Sequence, residues 1–253
     1  MPKTDPPEAP DANPGEPVFL SIIIPCHNEE KRLGPTLNAL TGFLDSQSYR
    51  SEIIVSDNGS SDRTADVAAE FARHWPRLRV IRDPRRGKGL AVRRGMLEAA
   101  GEFRFMCDAD LSMPAGEIPK FLPPATAGAD VAIGSRSLAG SVVVDRPHRR
   151  LIRRAFNALV RRLVLPGVGD TQCGFKCFTA AAAQFLFRRQ LLEGMAFDAE
   201  VLYIARRHGY RVVEVPIVWN ADPDSRVRLW SDSVRMTREL LTIRRHARRG
   251  SYD

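Results

Sequence analysis

Two aspartates, Asp108 and Asp110, stand one residue apart at the end of an apolar run. In an extended segment, residues i and i+2 point to the same side. Two carboxylates on one side of a strand end can hold a hard divalent cation such as Mg²⁺, which takes its other ligands from phosphate and water. Such a cation is a Lewis acid toward a departing diphosphate. A bare Asp-x-Asp also occurs in ordinary acidic turns, so its meaning depends on its surroundings.

Other polar groups fall at comparable places. Pro25-Cys26-His27-Asn28-Glu29 follows the run FLSIII, and its backbone and side chains can line a flat base. The stretch DNGSSD begins at Asp57 after a second apolar run. Gly59 permits a tight turn there, and Ser61 or Asp62 can cap a following helix. Asp57 can accept hydrogen bonds from a ribose or a base, including the imide N–H of uracil. Arg86-Gly87-Lys88-Gly89 opens a helical pattern, where glycines admit a phosphate and a helix N-terminus favours anions. Gly134-Ser135-Arg136 ends another run, and the Arg136 fork suits a diphosphate.

The elements that must position these groups alternate. FLSIIIPC, SEIIVSD, LRVIRD, EFRFMCDAD and ADVAIGSR read as strands. Helical spacing separates the first four, at 31–46 (Leu33, Leu37, Leu40 and Leu44 inward), 62–75 (Val67, Ala68 and Phe71 inward) and 88–100. Strand–helix alternation predicts an α/β fold with a mostly parallel sheet and crossover helices. Ligands of such sheets bind beyond the carboxyl ends of the strands, where PCHNE, DNGSSD and DAD all fall. After Pro114 the pattern loosens into a basic amphipathic helix at 148–165, a strand at GFKCF and a helix at 196–208. A strand at YRVVEVPIVW and a final helix at 229–248 complete it. The expected organisation is a Pro-rich disordered leader (1–17), one domain (18–228) and a C-terminal basic helix (229–253).

Bulk properties narrow the choice. A chain of 253 residues with 43% hydrophobic content can bury one sizeable core. The formal charge of +8 points to a polyanionic partner: nucleic acid, anionic lipid or phosphorylated substrate. Nucleic acid is set aside, because aromatic content is 8% and no recognition motif is present. No apolar run approaches the roughly 20 residues that span a bilayer, and residues 1–17 lack the features of a signal peptide. Cys26, Cys107, Cys173 and Cys177 are scattered and read as buried, reduced thiols of a cytoplasmic protein. The spacing of a P-loop is missing, as is a G-x-G-x-x-G after the first strand, which excludes P-loop NTPases and dinucleotide oxidoreductases.

Taken in order, PCHNE, SDNGSSDRT, RGKGLAVRRGM, FMCDADLSMP, IGSR, DTQCGFKCF and AFDAEVLYIARRHGYRVVEVPIVW resemble a family 2 glycosyltransferase of GT-A fold over residues 18–228. The branch is that of the polyprenyl-phosphate sugar synthases, and residues 170–219 are similar to dolichyl-phosphate β-glucosyltransferases. The resemblance implies inverting transfer of a hexose, glucose from UDP-glucose, to a polyprenyl or dolichyl phosphate with Mg²⁺ or Mn²⁺. A GDP-mannose donor or a soluble or glycan hydroxyl acceptor is the alternative. A sugar nucleotidyltransferase would carry a Gly-rich loop where PCHNE stands.

The resemblance also implies roles. Asp57 would bind the base, with Pro25, His27, Asn28, Glu29, Lys88 and Ala109 completing the donor site. Asp108 would contact ribose and metal, and Asp110 would be the principal metal ligand. Arg136 would contact phosphate. Arg226, after Ser225, would belong to a late loop that closes over the donor. Gln172 and Lys176 lie in a subgroup motif and are assigned to the acceptor phosphate with Arg149 and Arg150. Relatives often carry membrane helices. Here a peripheral contact at the cytoplasmic face of a membrane is expected instead, with a homo-oligomer or a separate membrane partner left open.

On the helix at 148–165, Ile152, Phe156, Leu159, Val160 and Leu163 share one face, and Arg150, Arg154, Asn157 and Arg161 share the other. Such a helix either lies in a membrane interface, each basic residue adding about 1 kcal/mol near an anionic surface, or packs on the sheet with its arginines in solvent. Asp198 and Glu200 remain as spare acids, either a base for a hydroxyl acceptor or anchors of a helix N-terminus.

Overall fold

The computed structural model describes residues 16–221 and 229–253. The first half alternates as expected: β1 (Leu20–Cys26), α1 (Leu33–Asp45), β2 (Ser51–Asn58), α2 (Thr64–His74), β3 (Leu78–Asp83), α3 (Lys88–Glu98) and β4 (Phe103–Met106). A 3₁₀ segment (Ala115–Phe121) leads to β5 (Val131–Ser135), β6 (Val142–Val144), α4 (Pro147–Leu163), β7 (Lys176–Thr179) and α5 (Ala180–Arg189). Then come α6 (Phe197–Arg207), β8 (Val212–Pro216), β9 (Val218–Asn220) and α7 (Leu229–Arg248).

The main sheet has seven strands in the order β3-β2-β1-β4-β7-β5-β8. Strands β1 to β4 are mutually parallel, β5 and β8 are parallel, and β7 runs antiparallel between β4 and β5. The period of two assigns the two cores. Ile22, Ile24, Ile53 and Val55 face one, with Leu33, Leu37, Leu40 and Leu44 of α1. Ile23 and Ile54 face the other, against Val92 and Met96 of α3. Leu240 and Ile243 of α7 close this second core. Cys26 pairs with Asp57, and Ile23 with Met106, so β1, β2 and β4 deliver their C-terminal turns to one edge.

Four local features differ from the sequence expectation. The fourth strand ends at Met106, and Asp108 to Leu111 form a turn in which the Leu111 N–H donates to the Asp108 carbonyl at 3.2 Å. Leu111 takes φ +43°, a left-handed conformation that extended chain does not have. The stretch YRVVEVPIVW is two strands: Pro216 lacks a ladder donor, and β9 leaves to pair with β6 in a small second sheet. Helix α5 was not foreseen, although AAAAQFLFRR has high helix propensity and Thr179 Oγ1 accepts the Ala182 N–H at 3.2 Å. In α4, Val160 is buried and Phe156, Leu159 and Leu163 pack on the second core, the packed one of the two arrangements expected, but one residue departs from the wheel. Asn157, expected on the polar face, is buried, its amide 3.3 Å from Asp170.

Candidate active site

The turns after β1 and β2 are laced to each other. Asn28 takes a left-handed φ of +57°, tolerated by a short polar residue. Its N–H donates to Ser60 Oγ at 2.9 Å, and its side-chain oxygen accepts the Ser61 N–H at 2.8 Å. The Glu29 N–H donates to Thr64 Oγ1 at 2.6 Å, and the Asn58 carbonyl lies 3.1 Å from His27 Nδ1. Asp62 accepts the Thr64 N–H at 3.0 Å at the entrance to α2. Asp57 is buried and accepts from the N–H and hydroxyl of Ser60. These bonds hold Pro25 to Glu29 and Asn58 as one wall of a crevice of about 660 Å³. Asp57, expected to bind the base, does not itself line the crevice; its carboxylate is engaged by Ser60.

Asp108, Ala109 and Asp110 form the floor, and Arg86, Gly87 and Lys88 form the opposite side. Lys88 Nζ lies 2.6 Å from Asp108 Oδ1. Burial disfavours both charges, but each more than offsets that cost for the other. The Asp108 carboxyl is therefore held below its usual range, and the Lys88 ammonium above its own. Asp110 shifts the other way. Burial pushes its carboxyl up, and the Asp108 charge adds to the push. Two carboxylates that repel across a turn, in a crevice, are a donor set that a divalent cation satisfies with two protein ligands. Among the described residues, no cluster of three or more His, Cys, Asp or Glu suits a metal, so the remaining ligands would come from substrate and water.

A third wall comes from late in the chain. Glu193, Gly194 and Met195, with Arg235 and Glu239 of α7, line the crevice. Glu239 Oε2 accepts the Ala196 N–H at 2.9 Å, which ties α7 to this loop. The loop approaches the start of α3 closely: the Glu193 carbonyl accepts the Gly89 N–H at 2.9 Å, and a Cβ at Gly89 would stand 2.7 Å from the Leu192 carbonyl oxygen. Sequence patterns did not single out Arg32, Glu193 to Met195, Arg235 or Glu239. Of these, Arg32 pairs with Glu29, three residues back in the turn before α1, at 2.7 Å.

Arg136 faces a second cavity, of about 530 Å³, lined also by Arg150, Arg153, Arg154 and Arg161. Its fork is bidentate to Asp170, at 2.7 and 2.9 Å, beneath the Trp219 ring. The Arg136 charge holds the buried Asp170 carboxyl far below the usual range and helps hold Asp108 down. Arg153 is fixed by an ion pair to Asp145 at 2.5 Å. Lys176 is buried, 2.6 Å from Asp198, and does not line either cavity. Gln172 contacts Thr171 at 3.4 Å, and Arg149 is half-buried and lines neither cavity. Arg226 lies outside the described residues. The structure thus gathers Pro25, His27, Asn28, Glu29, Lys88, Asp108, Ala109 and Asp110 in one crevice, and Arg136 and Arg150 in the other.

The model of the family "Glycosyl transferase family 2" matches residues 21–195. The chain is 35% identical over 242 residues to a dolichyl-phosphate beta-glucosyltransferase of Homo sapiens, covering 89% of this chain and 74% of that protein. It is 33% identical over 250 residues to one from Saccharomyces cerevisiae, covering 90% and 75%. Among solved structures, glucosyl-3-phosphoglycerate synthase from Mycobacterium tuberculosis in complex with UDP superimposes with a TM-score of 0.67 at 20% identity, covering 89% of this chain and 80% of that one. The same enzyme with Mn²⁺, UDP and glucosyl-3-phosphoglycerate gives 0.66 at 20% identity, covering 89% and 78%.

Proposed function

The chain belongs to glycosyl transferase family 2, and from that premise we propose that this glycosyltransferase moves glucose from UDP-glucose to a dolichyl or polyprenyl phosphate, with inversion. Relatives named dolichyl-phosphate beta-glucosyltransferase are 31% to 35% identical over most of the chain. The observation that carries the acceptor is the arginine-lined cavity beside the Asp108 crevice. Five guanidinium groups fit a phosphate, and two of them already have carboxylate partners.

The nucleophile would be a phosphate oxygen, already anionic at neutral pH, and no general base is needed. The spare acids agree with this. Asp198 is committed to Lys176, and Glu200 accepts the N–H groups of Leu191 and Leu192 at 3.1 and 2.8 Å. Pro25 to Glu29 and Asn58 would cradle the base. Lys88 and Arg86 would face the diphosphate. Asp110, with Asp108, would hold Mg²⁺ or Mn²⁺, which supplies positive charge against the departing diphosphate. The protein's own contribution is to align the two cavities and keep their charges fixed before substrate arrives.

Acceptors with a polyprenyl chain reside in lipid, and we place the arginine-lined side at a membrane surface. Val142 and Val144 of β6 and Leu151 of α4, on the elements that border that cavity, are 56%, 62% and 69% exposed. Among the described residues, no helix is long and apolar enough to cross a membrane. The test combines UDP-glucose or GDP-mannose, Mg²⁺ or Mn²⁺ and a short polyprenyl phosphate, and reads lipid-linked sugar by mass spectrometry. A polyprenyl-phosphate hexose from UDP-glucose is expected. Metal-dependent donor hydrolysis without a lipid product would overturn the acceptor, and product from GDP-mannose alone would overturn the donor.

A further inference from the structure

Tyr252 is fully buried, and its ring stands 6.0 Å from that of Tyr203. Its hydroxyl donates to Glu200 Oε1 at 2.7 Å, and its carbonyl lies 2.6 Å from His208 Nε2. Glu200 is itself fully buried. Its two oxygens accept the consecutive N–H groups of Leu191 and Leu192. The next carbonyl, that of Glu193, accepts the Gly89 N–H, and Gln190 Nε2 donates to both Gly89 O and Leu192 O, at 2.9 and 2.7 Å. This hydrogen-bonded run therefore passes from Tyr252 through Glu200 to the loop at 190–195 and on to the start of α3, where Lys88 meets Asp108.

We propose that Tyr252 is a positioning residue for the nucleotide crevice, acting through Glu200 on the loop that lines it; the idea rests on the donor reading above. A buried carboxylate is costly unless donors surround it. Burial pushes the Glu200 carboxyl up, and the Tyr252 hydroxyl opposes that push. Without the hydroxyl, Glu200 keeps two donors and gains a proton more readily. A protonated oxygen is a poorer acceptor for Leu191 or Leu192, so the loop, with Glu193 to Met195, loses its fixed distance from Gly87 and Lys88.

The test is UDP binding in the presence of Mn²⁺, by calorimetry on the full chain, for wild type, Tyr252→Phe, Glu200→Gln and Arg207→Ala. Arg207→Ala removes the exposed ion pair to Asp253 and leaves the Tyr252–Glu200 bond in place. Tyr252→Phe is expected to weaken UDP binding by about tenfold, part of what a hydrogen bond to a charged group contributes. Its kcat at saturating donor should stay within about twofold, since no group near the acceptor changes. Glu200→Gln should follow it, and Arg207→Ala should bind UDP as wild type does even if it melts earlier. UDP affinity unchanged in both Tyr252→Phe and Glu200→Gln, or lost equally in Arg207→Ala, would overturn the proposal. A wild-type chain that does not bind UDP would instead remove the donor reading beneath it.

Discussion

The Asp108 carboxylate occupies the space that a side chain at Gly174 would fill: a Cβ there would overlap its oxygens. The loop ahead of β7 thus forms the bed on which Asp108 rests, while Lys88 holds it from the other side. Gly174→Ala should push the carboxylate off this bed. An ångström of misplacement can cost about a hundredfold in rate, and kcat/KM for the donor is expected to fall by that order. The melting temperature separates this displacement from a general loss of fold.

Asp110→Ala is expected to reduce turnover to background and leave the fold intact. The side chain sits in the crevice floor, where burial and then the Asp108 charge raise its proton affinity, so removing it relieves both desolvation and repulsion. Turnover, a melting curve and Mn²⁺ titration by calorimetry check this. Undiminished turnover would remove Asp110 from the proposed metal site.

In the second cavity, Arg150→Ala with Arg154→Ala should raise the acceptor KM by about tenfold for each lost 1.4 kcal/mol, with the donor KM unchanged. Both side chains line this cavity, and neither lines the crevice that holds Lys88 and Asp108. Initial rates over a grid of donor and acceptor concentrations read the two constants. A rise in the donor KM alone would assign these arginines to the wrong substrate.

The pairing of Asp170 with Arg136 predicts a pH dependence of stability. Asp170 is held far below its usual range in the folded chain, so the unfolded chain binds the proton first as pH falls. Its contribution is complete above the ordinary carboxylate value, about 3.9, and is lost as pH falls through the depressed folded value. Asp170→Asn leaves a buried guanidinium uncompensated and should cost about 3–5 kcal/mol near neutral pH. Denaturant melts of the two proteins should converge as pH falls below about 4. A gap that stays constant over that range would exclude the pair as its source.

Much of this architecture was readable from local pattern. Leu33, Leu37, Leu40 and Leu44 announced α1 by spacing, and the apolar runs before Asp57 and Asp108 announced buried parallel strands. The crevice was readable because strand ends of a parallel sheet converge. What local pattern could not convey was partnership over distance. Arg136 looked free to bind a donor phosphate, but its fork is taken by Asp170, 34 residues on. Lys176 looked available to an acceptor, but it is buried on Asp198. Asn157 fell on the arginine side of a helical wheel, yet burial is worthwhile for it because Asp170 accepts its amide. Glu239 and Arg235 enter the crevice from α7 with no motif to mark them.

The placement of β7 sets an order of assembly on the growing chain. Strands β1, β2 and β3 pair with near neighbours in sequence, and β4 joins β1 from far along the chain, so this part of the sheet can form once Met106 has emerged. Strand β5 has no such edge to join, because β7 stands between it and β4 and is made about forty residues later. The half that bears Asp57 and Asp108 can therefore begin to condense while the arginine-bearing half is still waiting for its central strand. Until then β4 keeps an unpaired edge, so the interval between Met106 and Thr179 is one in which this edge can mispair.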